Sequence, residues 1–251
     1  MESEPKRSKP NRKGIKIAFL CASALLVPVG LLYLSWYAVE CRRAEISKNL
    51  VGELRRFEIG KTTESQIKQL SDRHGGRFSA ARESTSPHQP ATYDFSVASP
   101  YVMIAGSART LPGTRLWGLF ASLQVEHGHL SNLRLSLFVF RSDGFGLRST
   151  VVLSGPEPLA APQGVQYYVY ESHITGPRGE ALGVELSPAA SSQQRKKAFD
   201  LNLSCLTRFP ECRHVCETLP SAWKDLTPDR RLMYEDGKPV NDYTECSNRT
   251  R

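Results

Sequence analysis

The 251 residues contain no Cys-x-x-Cys pair, no Gly-x-Ser-x-Gly elbow, no His-Glu-x-x-His and no acidic calcium loop. Each absence removes a chemistry recognisable by spacing: dithiol redox exchange, the hydrolase nucleophile, the zinc-protease helix and the calcium-binding loop. Gly144-Phe145-Gly146 is too short for a dinucleotide fingerprint, and turn geometry explains it better. Gly60-Lys61-Thr62 lacks the upstream glycine and strand of a phosphate loop. No carboxylates are paired recognisably and no internal repeat is present, so no catalytic residue and no cofactor is expected.

Dense positive charge is also missing, although the formal net charge is +8. Six of the 33 Lys and Arg, against two Glu, fall in residues 1–16, so half of the excess belongs to a short tail. The remainder is thin, with Arg195-Lys196-Lys197 the one local cluster. No basic stripe with interleaved aromatics appears, which argues against nucleic acid as a partner.

What the sequence does have is an uncharged run of 23 residues from Ile17 to Val39. A helix of that length spans a hydrocarbon core of about 30 Å with tilt to spare. Tyr33, Trp36 and Tyr37 gather at one end, where amphipathic rings favour the headgroup layer, and Pro28 and Gly30 are tolerated in such helices. A cleaved signal peptide fits less well, because its apolar region is shorter and cleavage after Ala38 would place Trp36 at −3. Lipidation at Cys41 is disfavoured by the preceding Glu40. The expectation is a single-pass anchor at residues 17–39, with the lipid bilayer as its partner. The basic tail favours a cytoplasmic N-terminus and an extracytoplasmic C-terminal domain, six cations against five in residues 40–56. The sequons at Asn202 and Asn248 are compatible with export.

Beyond the anchor, helical spacing of Ile46, Leu50, Leu54 and Phe57, then Ile67 and Leu70, predicts a helical hairpin over 40–77. Gly60 stops the first helix, Thr62 or Thr63 caps the second, and Gly75-Gly76 ends it. Residues 78–92 read as a loop. Alternation then predicts about seven strands: 92–97, 101–106, 116–126, 129–140, 147–155, 165–172 and 181–187. Leu133, Leu135, Leu137 and Val139 share one face of the fourth, with Phe138 and Phe140 on the other. His127-Gly128 turns the clearest hairpin. Without helical crossovers the sheet is expected to be an antiparallel meander, giving an α+β domain over 93–223. Helical spacing returns at Ala198, Leu201 and Cys205, with breaks at Pro210 and Pro220, and 224–251 reads as a polar tail.

Cys205, Cys212, His214 and Cys216 lie close together, with Cys246 in the tail. As metal ligands Cys205, Cys212, His214 and Cys216 would be soft, but only Cys212 and Cys216 have zinc-like spacing. As thiols in an exported domain they would pair. One helical turn between Cys212 and Cys216 would strain a direct bond, so Cys205–Cys212 and Cys216–Cys246 are the expected disulfides. His127 and His129 offer two imidazoles at a tight turn, with no third ligand in view.

The stretches "RKKAFDLNLSCLTRFPEC", "LPSAW" and "FEIGKTTESQIKQL", behind a lone apolar helix, resemble a group of membrane-anchored bacterial proteins. That resemblance implies no activity. "IGKTTESQIKQL" is also loosely similar to the opening of small outer-membrane-assembly lipoproteins of the BamE type, whose lipobox cysteine Glu40-Cys41 does not reproduce. The expectation is a bacterial envelope protein whose non-catalytic scaffold domain binds an envelope protein partner. The alternatives are an extracytoplasmic enzyme with dispersed active-site residues and a Cys/His metal sensor.

Overall fold

A computed structural model describes residues 12–79, 90–100, 102–104, 107–109, 116–140, 146–154, 164–171, 179–207, 212–226, 233–235 and 238–241. Side chains are described throughout these except at 12–25, 102–104, 107–109, 168–171, 233–235 and 238–241. The chain divides into two units, Met1–Val39 and Glu40–Arg251.

The first unit carries the start of a 43-residue helix, α1 (Arg12–Leu54), with Pro28 inside it. From Leu26 onward its large apolar side chains are exposed, Leu26 at 69% and Leu32 at 68%. Among the described residues no helix is long and apolar enough to cross a membrane. The described side chains of the apolar run begin at Leu26, and Leu26–Val39 alone rises only about 21 Å as a helix.

In the second unit the end of α1 buries Ser47, Leu50, Val51 and Leu54 along one stripe. Gly60, at φ 73°, turns the chain, and α2 (Glu64–His74) follows behind Thr63, whose N–H is accepted by Gln66 Oε1 at 2.9 Å. Gly75, at φ 68°, ends it in the left-handed conformation that glycine adopts at least cost. Glu53 ties the two helices together, accepting from His74 Nε2 at 2.9 Å and pairing with Arg73. Tyr93 donates to Glu64 at 3.0 Å; burial first, then this carboxylate, push its phenol up to about 12.

The strands are β1 (Arg77–Ser79), β2 (Ala91–Ala98), β3 (Val102–Ile104), β4 (Ser107–Arg109), β5 (Leu116–Glu126), β6 (His129–Phe140), β7 (Gly146–Leu153), β8 (Val165–Glu171) and β9 (Gly179–Leu186). Seven form one sheet in the order β1-β2-β5-β6-β7-β9-β8, and β3 and β4 form a separate pair. The expected count of seven is met with different members. Residues 77–79, the last two within the expected loop, add an edge strand, and the expected strand at 101–106 leaves the sheet. The sheet is mixed rather than a meander, because β9 runs parallel to β7 and slots between it and β8. Which strand lies beside which is not something period-2 alternation registers. Gly179 permits the parallel pair to begin, since a Cβ there would lie 2.5 Å from the Gly146 carbonyl oxygen.

The β5–β6 hairpin turns at His127 and Gly128, both at positive φ (52° and 76°), as a two-residue loop with the favoured twist requires. The α1–α2 turn docks on this tip: Gly60 N–H donates to Leu130 O and Glu64 N–H to Gly128 O.

Helical spacing at the C-terminal end resolves into shorter pieces than expected: α3 (Ser192–Ala198), a 3-10 turn (Leu203–Leu206), α4 (Val215–Thr218) and α5 (Pro220–Asp225). Pro220 opens α5 rather than ending a helix, as a residue without an N–H can at a first turn. The expected polar tail contains a strand pair, β10 (Met233–Glu235) and β11 (Lys238–Asn241).

Alternation puts Phe95, Leu119, Leu135, Leu137, Val151, Leu182 and Val184 on one face of the sheet, in one core with Leu54, Leu70, Leu206, Val215 and Trp223. Each such fully buried side chain contributes about 1.5–3 kcal/mol of transfer free energy.

Burial raises the Glu53 carboxyl, but the bonds from His74 and Arg73 outweigh it and hold the group below its ordinary 4.5. A depressed folded value stabilises above that pH and is lost as pH falls through the folded value. Glu53→Gln should therefore lower stability by about 1 kcal/mol at pH 7 and flatten the loss as pH falls below the ordinary carboxyl value of 4.5. Urea unfolding across that range checks it; an unchanged pH slope would remove the α1–α2 tie from the account.

Candidate functional site

The cysteine segment is a structural corner. Cys205 and Cys212 are bonded, with S–S 2.02 Å and Cα–Cα 5.4 Å. Cys216 is also in a disulfide. Cys246 lies outside the described residues, so the second expected pairing is not described. A disulfide sulfur offers no thiolate to a metal, and the proposed set Cys205, Cys212, His214 and Cys216 is thereby dispersed. Among the described residues no group of three or more His, Cys, Asp or Glu converges as a metal site. At the hairpin tip, His129 Nδ1 lies 3.1 Å from the His127 carbonyl oxygen.

His214 serves the corner instead. Its Nδ1 lies 3.2 Å from Glu180 Oε1, while Glu180 Oε2 accepts the Val215 N–H at 2.9 Å. Glu180 is 4% exposed on the inner face of β9, beside Leu147 of β7. A carboxylate this buried must be hydrogen-bonded, and the first turn of α4 supplies the donors. Thr218 Oγ1 donates to Val215 O at 2.6 Å and accepts from Ser149 of β7. Asn202 donates its backbone N–H to Thr218 O and its amide to Glu217 O, at 2.8 and 2.9 Å. The Asn202 sequon nitrogen is thus already a structural tie.

The reverse face of the sheet presents different chemistry. Residues pointing away from the core line up across β1, β2, β5 and β6 as Arg77, Asp94, Ser122 and Arg134. Strand spacing of about 4.8 Å sets their separations. They border a concavity of about 590 Å³ with Phe120 and Ser96. Phe120 is 44% exposed, although large and apolar. Its ring meets Phe138 edge-on at 5.6 Å between centroids, and the Arg148 guanidinium sits 4.9 Å over Phe138. Ser136 and Thr150, both buried beside them, face each other at 3.3 Å.

Among the described residues no histidine lines this concavity, and its one lining carboxylate, Asp94, lies directly across the ladder from Ser122. Among those residues Arg77 and Arg134 form no ion pair. Its described lining offers guanidinium, carboxylate, hydroxyl and ring contacts. Alternation of β6 already put Phe138 and Phe140 off the core face. The missed signal was Phe120, a bulky ring at a polar position of the facing strand.

Replacing Glu180 by Ala strands the buried Val215 N–H and should lower stability by about 2–3 kcal/mol, with Glu180→Gln losing about half as much. The paired Cys205→Ala and Cys212→Ala substitutions should lower it by about 2.5 kcal/mol through the freed loop. Denaturant unfolding measures both; unchanged midpoints would show that the corner is not held by these bonds. Comparisons with protein-family models, with curated proteins and with solved structures return no match.

Proposed function

We propose that this is a single-pass, membrane-anchored protein of the bacterial envelope whose exported α+β domain is a non-catalytic docking module. The observation that carries the docking half is the concavity on the reverse face of β1, β2, β5 and β6. It combines an exposed Phe120, edge-on to the half-buried Phe138, with Arg77 and Arg134, which form no ion pair among the described residues. The partner that suits it is a protein segment with acidic side chains beside apolar ones. Carboxylates can engage the guanidiniums bidentately while an apolar group covers the rings.

The anchoring half is supported by the apolar run. Its 23 residues would rise about 35 Å as a helix, and exposed leucines and valines continue along α1 through Leu34. Leaving so many large apolar side chains in water is costly, and lipid removes that cost. Disulfides at Cys205–Cys212 and at Cys216 fit an oxidising compartment on the far side.

Cys41 is free and exposed, one residue beyond Glu40, and serves as a topology probe. A membrane-impermeant maleimide applied to intact spheroplasts should label Cys41 without reductant, with Cys41→Ser as the control. Labelling only after lysis would invert the orientation. A photo-crosslinking residue at position 120 should capture a protein partner in those cells, and Arg77→Glu with Arg134→Glu should abolish the adduct. A crosslinker at Lys68, on the helical side, should give none. Equal capture at 120 and 68, or no adduct at 120, would sink the docking reading.

A further inference from the structure

A second surface carries charge that the docking face does not explain. Arg55 and Arg56 follow directly on α1, and Arg195 and Lys196 lie in α3. About 140 positions apart in the chain, the two pairs line one concavity of about 470 Å³, with Ser192 and Gln193 at its wall. One acid, Glu58, lines the same concavity and acts electrostatically on Arg195, so four cations face one carboxylate there. Glu58 bonds Lys61 at 2.7 Å, and Asp225 bonds Lys197 at 2.8 Å and accepts from Tyr167. No acid pairs with Arg55, Arg56, Arg195 or Lys196 among the described residues. Arg195 reaches the Pro188 carbonyl oxygen at 3.5 Å, which leaves most of its donors available.

Four like charges converging on a concave surface repel one another, and the arrangement is self-consistent when an anion occupies it. Guanidinium forks match tetrahedral oxyanions, the ammonium adds a point charge, and the Ser192 hydroxyl and Gln193 amide can donate further. We propose that this concavity binds a phosphate-bearing group of charge −2 or more, carried by a lipid headgroup or by a soluble molecule. This site is independent of the docking face, because none of its residues belongs to the sheet.

The test uses the full chain in non-ionic micelles at low salt, titrated with inorganic pyrophosphate. The expected result is saturable binding that weakens roughly tenfold when Arg55→Gln and Arg195→Gln are combined, about the loss of one charge-assisted contact. Lys68→Gln, on α2 and outside the concavity's lining, should leave it unchanged. Micelles doped with phosphatidic acid, against phosphatidylcholine, separate the two sources: tighter binding to phosphatidic acid than to pyrophosphate assigns a lipid, and the reverse order a soluble ligand. The melting temperature of the double variant should equal or exceed that of the wild type, since repulsion is relieved. Equal binding by the wild type and the double variant, or no binding of either phosphate probe, overturns the proposal.

Discussion

The inner face of the β5–β6–β7–β9 sheet buries Leu119, Leu135, Leu137, Val151 and Val184 almost completely, in one core with the helices of the Glu40–Arg251 body. No residue of its reverse face joins that core: Asp94, Phe120, Arg134 and Thr150 all lie outside it. The packing of the inner face against the helices sets the rest of the architecture, although Thr150, Val152 and Ala181 on the reverse face are also buried. α3, α4 and α5 have seven, four and six residues, far below the length at which an isolated helix persists in water. They exist because Ala198, Val215, Ala222 and Trp223 complete the sheet's apolar surface, and because covalent and polar ties fix where they land.

The ties depend on strand order. Inserting β9 between β7 and β8 places Glu180 next to Leu147, under the first turn of α4. An antiparallel meander would have put other residues there. Because Glu180 is buried, its charge can be kept only with donors in place, and the Val215 N–H and His214 meet that need. The same contact supplies an acceptor to a helix end that would otherwise be buried and unsatisfied. The Cys205–Cys212 bond then keeps the 3-10 turn against α4, and Asn202 and Ser149 close the remaining polar groups. Buried polar groups in this corner satisfy one another, which gives it a unique geometry rather than added stability alone.

Much of this was legible in the sequence, and the reasons for the misses are specific. Gly60, Thr63 and Gly75 punctuate the helices where cap chemistry says they should, and His127-Gly128 turns the longest hairpin at positive φ. These signals are local, so one chain suffices to read them. The parallel pair was not legible because alternation in Leu182, Val184 and Leu186 reports which face is buried, not which strand lies beside it. β9 is in fact buried on both faces over Gly179–Val184, with small Ala181 and Gly183 on the reverse side, a mark of a central strand that period-2 counting overlooks. Strand β1 was missed because three exposed residues, Arg77, Phe78 and Ser79, carry no pattern of their own and pair only through β2. Of the candidate site, the cysteines were visible; the disulfide expectation rested on an exported domain, with spacing only disfavouring a direct Cys212–Cys216 bond, and Cys205–Cys212 is bonded. The sheet-face concavity and the basic concavity were not visible, since Arg77 and Arg134, and Arg55 and Arg195, come to share one surface only after folding.

The two arginine-bearing surfaces differ in a way that separates what each can hold. On the sheet, the Arg148 guanidinium lies over Phe138, and Phe120 stands exposed beside it, so charge is mixed with ring surface. Such a surface rewards a partner that brings apolar area along with its carboxylates, because burial supplies energy that solvent-exposed ion pairs do not. At Arg55, Arg56, Arg195 and Lys196 no aromatic ring lines the concavity, and binding there must come from charge and hydrogen bonds. Its affinity should therefore fall steeply with salt, whereas the sheet face should hold its partner at ionic strengths that empty the basic site. Glu58 also lines this concavity, and its pair with Lys61 offsets part of its charge, so the cations there remain in excess. Residues of one surface come from β1, β2, β5 and β6, and those of the other from the ends of α1 and α3, so no side chain is shared. Occupation of one leaves the contacts of the other intact, and any coupling between them has to pass through the core that both layers share.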